Sequence, residues 1–273
     1  MVGVWIMLLG LSGAALGWKL GKVRSHAWLV GFFAAIVLML LITSVRHFPM
    51  LRLHAPLHLL VAGRSEFILL AFTAPVMMFS LIPRLPQVRL RWMLGFLCVL
   101  FVGWFCSAPF VMTALVRDQL LSLPSQIDPD GVCRQTTSYT CGPAATVTAL
   151  RMLGVESTEG PMAVLLRTTP AGGIELDLAT DFINDAYAKD GIHAEYRVVK
   201  SIADLPPETP ILAVIKFSLF EDHVVTITHD GAGQVIVRDP ASGKRIETLK
   251  QFDSKFRGEA VVLTRRMSSG STN

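Results

Sequence analysis

Cysteine is scarce in this chain: 4 in 273 residues, too few and too scattered for a disulfide framework. Cys98 and Cys106 fall inside an apolar run, so thiol chemistry, if the chain performs any, is left to Cys133 and Cys141. Acidic residues are almost missing from the first 120 positions, where Glu66 and Asp118 stand against 10 Lys and Arg. The remaining residues carry 15 basic and 19 acidic side chains, a net charge of −4. Missing too is any basic run interleaved with aromatics, which excludes nucleic acid as a partner. No internal repeat is present.

What the chain has in abundance is apolar surface. Hydrophobic residues make up 52% of it and the mean hydropathy is +0.50, more than an ordinary soluble protein carries. Part of it is expected to sit in lipid. Four stretches, 2–18, 28–44, 67–82 and 93–115, hold no charged residue. All but the third reach the roughly 17 residues a spanning helix needs. We read residues 1–120 as an all-α anchor of about four transmembrane helices. A signal peptide is the competing reading of the first stretch, but no basic residue precedes it and a second apolar run follows at once.

Lys19, Lys22 and Arg24 crowd the first short loop and Arg84, Arg89 and Arg91 the third, against Arg46, Arg52, Arg64 and Arg117 on the other side. The bias predicts loops one and three in the cytoplasm and both termini outside. The expected location is therefore a bacterial inner membrane, with the polar half extracytoplasmic. His54 and His58 in the second loop have the spacing of metal ligands on a helix, but Pro56 separates them and no carboxylate or thiol lies near. We expect neither metal nor cofactor.

The segment 121–130, with Pro124 and Pro129, reads as a linker, and 267–273 as a flexible tail. Between them, 131–266 is expected to form a domain of its own. Residues 144–153 lack helix breakers and end at Gly154, with Pro143 suited to the first turn, so a helix is expected to begin near Cys141. Residues 176–189 have helical apolar spacing and are closed by Gly191. From Pro210 the texture becomes β-branched: 211–217, 223–228 and 234–239 read as strands, the last two a hairpin turning at 231–233. Helices followed by an antiparallel sheet give an α+β class.

A nucleophilic thiol needs surroundings that favour thiolate, and the N-terminus of a helix, with its unpaired N–H groups and dipole, stabilises negative charge. Cys141 lies at such a position; Gly142 beside it removes bulk that would crowd a substrate backbone. Cys133 has no such support and reads as a packing residue or a redox partner of Cys141. Attack on an amide creates an oxyanion, which needs donors already in place. Gln135, six residues earlier, can supply a side-chain N–H beside the Cys141 backbone N–H. In the hairpin a turn centred on Ala232 puts Val225 opposite Asp239, so His223 and Asp239 share a face diagonally. Asp239 can then fix the imidazole tautomer. His193 and His229 are rivals, the first in a loop, the second near the turn and far from Asp239.

These residues carry a resemblance. Gln135-Thr-Thr-Ser-Tyr-Thr-Cys141-Gly-Pro-Ala-Ala145, then Asp222-His223-Val-Val and Asp239-Pro240-Ala-Ser-Gly243, resemble the bacteriocin-processing cysteine peptidases that cut after double-glycine leaders. The resemblance covers roughly 131–266. It implies a papain-like fold, with Cys141, His223, Asp239 and Gln135 as catalytic residues, and a peptide or protein substrate cut after small residues such as Gly-Gly. The family's best-known members sit at the front of ATP-driven exporters; this chain has no G-x-x-x-x-G-K-[ST] loop. The reading is a membrane-anchored cysteine endopeptidase whose partners are its substrate, the lipid bilayer and other membrane proteins. The alternatives are an acyl or peptidyl transferase using the same thioester and a non-catalytic peptide-docking module. A transport channel finds no support, since the apolar stretches carry no ionisable residue to mark a path.

Overall fold

A computed structural model of the chain describes residues 2–23, 26–47, 51, 65–170, 172–218 and 221–266. The chain divides into two compact units, Met1–Ala114 and Leu115–Asn273. The tail expected at 267–273 and the pair His54 and His58 lie outside the described residues.

The first unit is helical: α1 (Val2–Lys22), α2 (Ala27–His47), α3 (Ser65–Leu81), α4 (Val88–Leu100) and α5 (Ala108–Leu115). A 3₁₀ turn, Ile82–Arg84, prolongs α3, so the stretch that looked marginal becomes a largely apolar segment of 20 residues, Ser65–Arg84. That segment and Trp28–Val45 are the two helices, among the described residues, long and apolar enough to cross a membrane. The stretch at 93–115 is not one α-helix: a π-helical turn, Phe101–Cys106, interrupts it between α4 and α5. Four spans were expected, and the described helical segments provide two candidates by length and composition.

Glycine explains how α1 and α3 meet. A Cβ on Gly13 would stand 2.3 Å from the Phe72 carbonyl oxygen, one on Gly17 2.5 Å from that of Val76, and one on Gly21 2.5 Å from that of Ser80. Both series advance by four residues, so the helices run parallel with their backbones nearly touching. This small-residue packing is how helices associate where burial of apolar surface gives no drive. Parallel α1 and α3 bring loops one and three to the same end, where Arg84 Nη2 donates to the Val23 carbonyl at 2.6 Å. A small cluster of Ile6, Ala71, Cys98, Val102 and Cys106 fills the space beside them.

The second unit opens with α6 (Arg117–Leu121) and β1 (Gln126–Ile127), which pairs with β2 (Cys133–Arg134). These are followed by α7 (Cys141–Met152), α8 (Glu159–Leu165), α9 (Leu176–Tyr187), β3 (Ile192–Val198), β4 (Ile211–Lys216), β5 (Asp222–His229), β6 (Gln234–Asp239), β7 (Gly243–Thr248), α10 (Leu249–Asp253) and β8 (Phe256–Arg265). The class is mixed α+β. Strands β3 to β8 form an antiparallel sheet ordered β3-β8-β4-β5-β6-β7.

Strand β4 is apolar at five successive positions because both sheet faces are covered. Leu212 and Val214 join Ala145, Leu150, Ala179 and Ile183 of α7 and α9 in one cluster. Ile211, Ala213 and Ile215 join Val225, Val237 and Phe252 in the other. The segment 121–130, expected as a linker, contributes β1 and is tied down: the Glu159 backbone N–H donates to Ser125 Oγ at 2.5 Å. Helix α7 begins at Cys141 itself. Helix α9 passes through a 3₁₀ turn to Gly191, whose φ of 75° is left-handed. The β5–β6 register pairs Thr226 with Arg238 and His229 with Val235, the register expected for a turn centred on Ala232.

Candidate active site

Three separate pieces of chain converge at one place in the second unit. Cys141 is the first residue of α7 and half-exposed. His223 stands at the start of β5, paired with Ile215 of β4, and Asp239 ends β6; both are 5% exposed. Because His223 and Val225 share a strand face, as do Val237 and Asp239, the hairpin brings the two polar groups together at its open end. His223 Nε2 meets Asp239 Oδ1 at 2.7 Å. Burial pushes the His223 pKa down, but hydrogen bonds to Asp239 and to the Cys141 side chain outweigh it and carry it up to about 9. The imidazole nitrogen not engaged by Asp239 is thus left for the thiol.

Asp239 is held more tightly than the sequence suggested. Its Oδ1 also accepts from the Ala241 backbone N–H at 2.8 Å, and its Oδ2 accepts from Ser242 Oγ at 2.8 Å and Arg245 Nη1 at 2.7 Å. Burial would raise its pKa; the bonds from His223, Arg245 and Ala241 instead hold it well below the usual carboxylate range. Arg245 is itself fixed, donating from Nε to Glu247 Oε1 at 2.6 Å, where Lys255 Nζ also donates. Charges alternate outward from the imidazole: Asp239, Arg245, Glu247, Lys255.

Arg245 was missed in the sequence. The signal was there: if Asp239-Pro-Ala-Ser-Gly243 closes a hairpin, Asp239 pairs with Gly243, as β6 and β7 do. Arg245 then falls diagonally across from Asp239 on the same face.

Gln135 follows β2. Its backbone N–H donates to the Pro240 carbonyl at 3.1 Å, which anchors it to the turn that begins at Asp239. Its side-chain Nε2 donates to the Thr137 carbonyl at 2.9 Å, using one of two amide N–H bonds, and its Oε1 is buried without a protein partner. Next to it, Thr136 gives its backbone N–H at 2.8 Å and its hydroxyl at 2.6 Å to the carboxylate of Glu159. Glu159 is fully buried. Nothing in a lone Glu at a helix start marks it as such a tether.

Other expectations resolve differently. Gly142 does not leave open space: a Cβ there would stand 2.3 Å from Ile174 Cδ1, so its missing side chain lets Ile174 pack against the backbone next to Cys141. Phe217, 62% exposed, leans against His223 in a tilted ring contact with centroids 5.2 Å apart. Cys133 is fully buried in the α7 cluster. Burial first, then Glu159 and Asp128 against an opposing Arg151, push its thiol up to about 12, which makes it an unreactive packing residue. His193 is an exposed residue of β3 rather than of a loop, and His229 is buried, with Nε2 3.0 Å from the Leu205 carbonyl. Neither faces Asp239.

Comparison with known proteins bears on the same region. The chain is 28% identical over 148 residues to an uncharacterized protein of Methanothermobacter marburgensis, a match covering 54% of this chain and 97% of that protein. Among solved structures it is similar to the peptidase domain of Streptococcus ComA, a bifunctional ABC transporter involved in quorum sensing. Identity there is 19% and TM-score 0.41, over 49% of this chain and 96% of that one. A double-glycine motif protease from an AMS/PCAT transporter, solved with its leader peptide, matches at 15% identity and TM-score 0.42, over 53% and 96%. The model of the peptidase C39 family matches residues 131–268, the stretch that carries Gln135, Cys141, His223 and Asp239. The chain belongs to the peptidase C39 family and is a cysteine peptidase.

Proposed function

We propose that this chain is a membrane-anchored endopeptidase in which Cys141 is the nucleophile, His223 its base and acid, Asp239 the group that orients His223, and Gln135 an oxyanion donor. The contact of 2.7 Å between His223 and Asp239, at the open end of a hairpin facing a helix-capping cysteine, carries the reading. The thiolate of Cys141 attacks the scissile carbonyl carbon. Negative charge moves to the oxygen, met by the free N–H of the Gln135 amide and the Cys141 backbone N–H. As the tetrahedral species collapses, the C–N bond breaks and imidazolium gives its proton to the leaving amine. Water, deprotonated by the same imidazole, then hydrolyses the thioester and releases the acid.

The substrate in this reading is a peptide cut after small residues, Gly-Gly foremost. Ile174 beside Gly142 and Phe217 against His223 supply apolar walls close to the thiol. We assign four spans to residues 1–115, with the peptidase domain extracytoplasmic. Its supports are the parallel run of α1 and α3 and the meeting of the two basic loops at one end. The test is Cys141→Ala in the full chain. It should abolish cleavage of a double-glycine peptide and leave the melting curve unchanged, whereas retained cleavage would overturn the assignment. Transfer of the acyl group to an added amine, in preference to water, would favour the transferase alternative.

A further inference from the structure

At the end where loops one and three meet, the first unit holds an open cleft of about 490 Å³ lined by Lys22, Arg84 and Arg91, with Trp18 and Pro83. Among the described residues no acid lines it, and Glu66 and Asp118 are the only acids in the first 120 positions. Three cations converge without a protein counter-charge, an arrangement whose repulsion a bound anion would relieve. The cations are also positioned rather than free. Arg84 Nη2 is anchored on the Val23 carbonyl at 2.6 Å, with its guanidinium 4.4 Å from the Trp28 ring centroid. Arg91 grips the Leu85 carbonyl through Nε at 2.9 Å and Nη2 at 2.8 Å. Lys22 Nζ stands 5.1 Å from the Trp18 ring centroid. Each guanidinium keeps further N–H groups of the kind that fork onto phosphate oxygens.

Trp18 lines the cleft near the end of one apolar helix and Trp28, at the start of another, lies against Arg84, the level at which such rings lie among lipid headgroups. A freely diffusing anion would have no use for that setting; a lipid phosphate with its glycerol and acyl chains would. We propose that Lys22, Arg84 and Arg91 form a binding site for the phosphate of an anionic phospholipid headgroup, a basic pocket between membrane helices. This rests on the membrane reading given above.

The test uses the full chain purified in detergent and offered equal phosphatidylglycerol and phosphatidylcholine, with retained lipid counted by native mass spectrometry. Wild type should keep phosphatidylglycerol about tenfold over phosphatidylcholine. Lys22→Gln with Arg91→Gln should lose that preference, and Arg89→Gln, a cation of the same helix outside the cleft, should keep it. Should the double variant not purify as a monodisperse protein, Lys22→Gln alone is read, since its exposed ammonium supports no backbone group.

Equal retention of the two lipids by wild type, an undiminished preference in the variants, or an equal loss in Arg89→Gln would each overturn the site. Displacement of the lipid by millimolar inorganic phosphate would overturn it in favour of a small-anion site. Alkaline carbonate extraction separates this from the underlying reading. A chain that stays in the pellet but shows no lipid preference sinks the headgroup site alone, whereas release into the supernatant sinks both.

Discussion

Asp239 meets four donors through two oxygens, and only one of them is the histidine it is proposed to orient. Removing the Arg245 guanidinium leaves that buried carboxylate with one charged hydrogen bond fewer, a loss of roughly 1.5–3 kcal/mol. If only part of it reaches the transition state, Arg245→Met lowers kcat/KM about tenfold, and Arg245→Lys restores part of the loss. A steady-state comparison of the three proteins checks this. The pH dependence follows from the same bonds. The His223 pKa is raised from 6.5 to about 9, so its contribution to stability is complete below pH 6.5 and is lost as pH rises towards 9. Melting temperatures should therefore fall across that window, and His223→Gln should flatten the slope. The leaving amine needs the imidazolium proton, so the alkaline limb of kcat/KM should also lie near 9 and move lower in Asp239→Asn. Asp239 works in the opposite direction. Its depressed pKa stabilises the fold above its ordinary value of 3.8, an effect lost as pH falls below it.

At the level of elements, the parallel α1–α3 pair makes the sharpest prediction. A side chain on Gly13 meets the backbone oxygen of Phe72 rather than a movable tip, so Gly13→Leu forces the helices apart. Loss of the monodisperse peak on size exclusion in detergent is the expected outcome. Gly142→Ala meets the Ile174 side chain, at 2.3 Å from Cδ1 and 2.5 Å from Cγ1; its cost of about 1–3 kcal/mol for overpacking should be partly recovered by Ile174→Ala, which removes both atoms, as thermal denaturation of the single and double variants would reveal. The glycines of α1 lay in plain sight in the sequence, but apolar run-length reads them as lipid-facing filler, because only the partner helix reveals a close approach. The register of the β5–β6 hairpin was legible, and its strand ends to within a residue, since its turn glycines and β-branched alternation are local signals. Strands β3, β7 and β8 were not. Strand β7 forms a local hairpin with β6 and was overlooked rather than hidden, whereas β3 and β8 pair across a long sequence separation: β8 lies between β3 and β4, and no local pattern announces such an insertion.

For the whole molecule, the division near Leu115 leads to the expectation that residues 115–266 fold without the helices before them. A cooperative melt and intact cleavage by that fragment would bear this out. A fragment beginning at 131 should melt lower, because it lacks Leu120, which is buried, and Ser125, which holds the start of α8. Prolines made 121–130 look like a linker; the segment also carries a two-residue exposed strand and is tied to the domain through Ser125. Of the proposed site, Cys141, His223, Asp239 and Gln135 were nameable in the sequence because spacing and motif single them out. Glu159 was not, because composition assigns a lone Glu to the surface and only the fold buries it.

The four residues from Asp239 to Ser242 hold more than a bend. Asp239 opens the turn, the Pro240 carbonyl takes the backbone N–H of Gln135, the Ala241 carbonyl takes Arg134, and Ser242 returns to the Asp239 carboxylate. The group that aims the imidazole and the group proposed to receive the oxyanion therefore share one mechanical mount. Insertion of a single glycine there would not loosen one function and spare the other: it would shift both at once and, by reversing the alternation of β7, swing Arg245 to the wrong face.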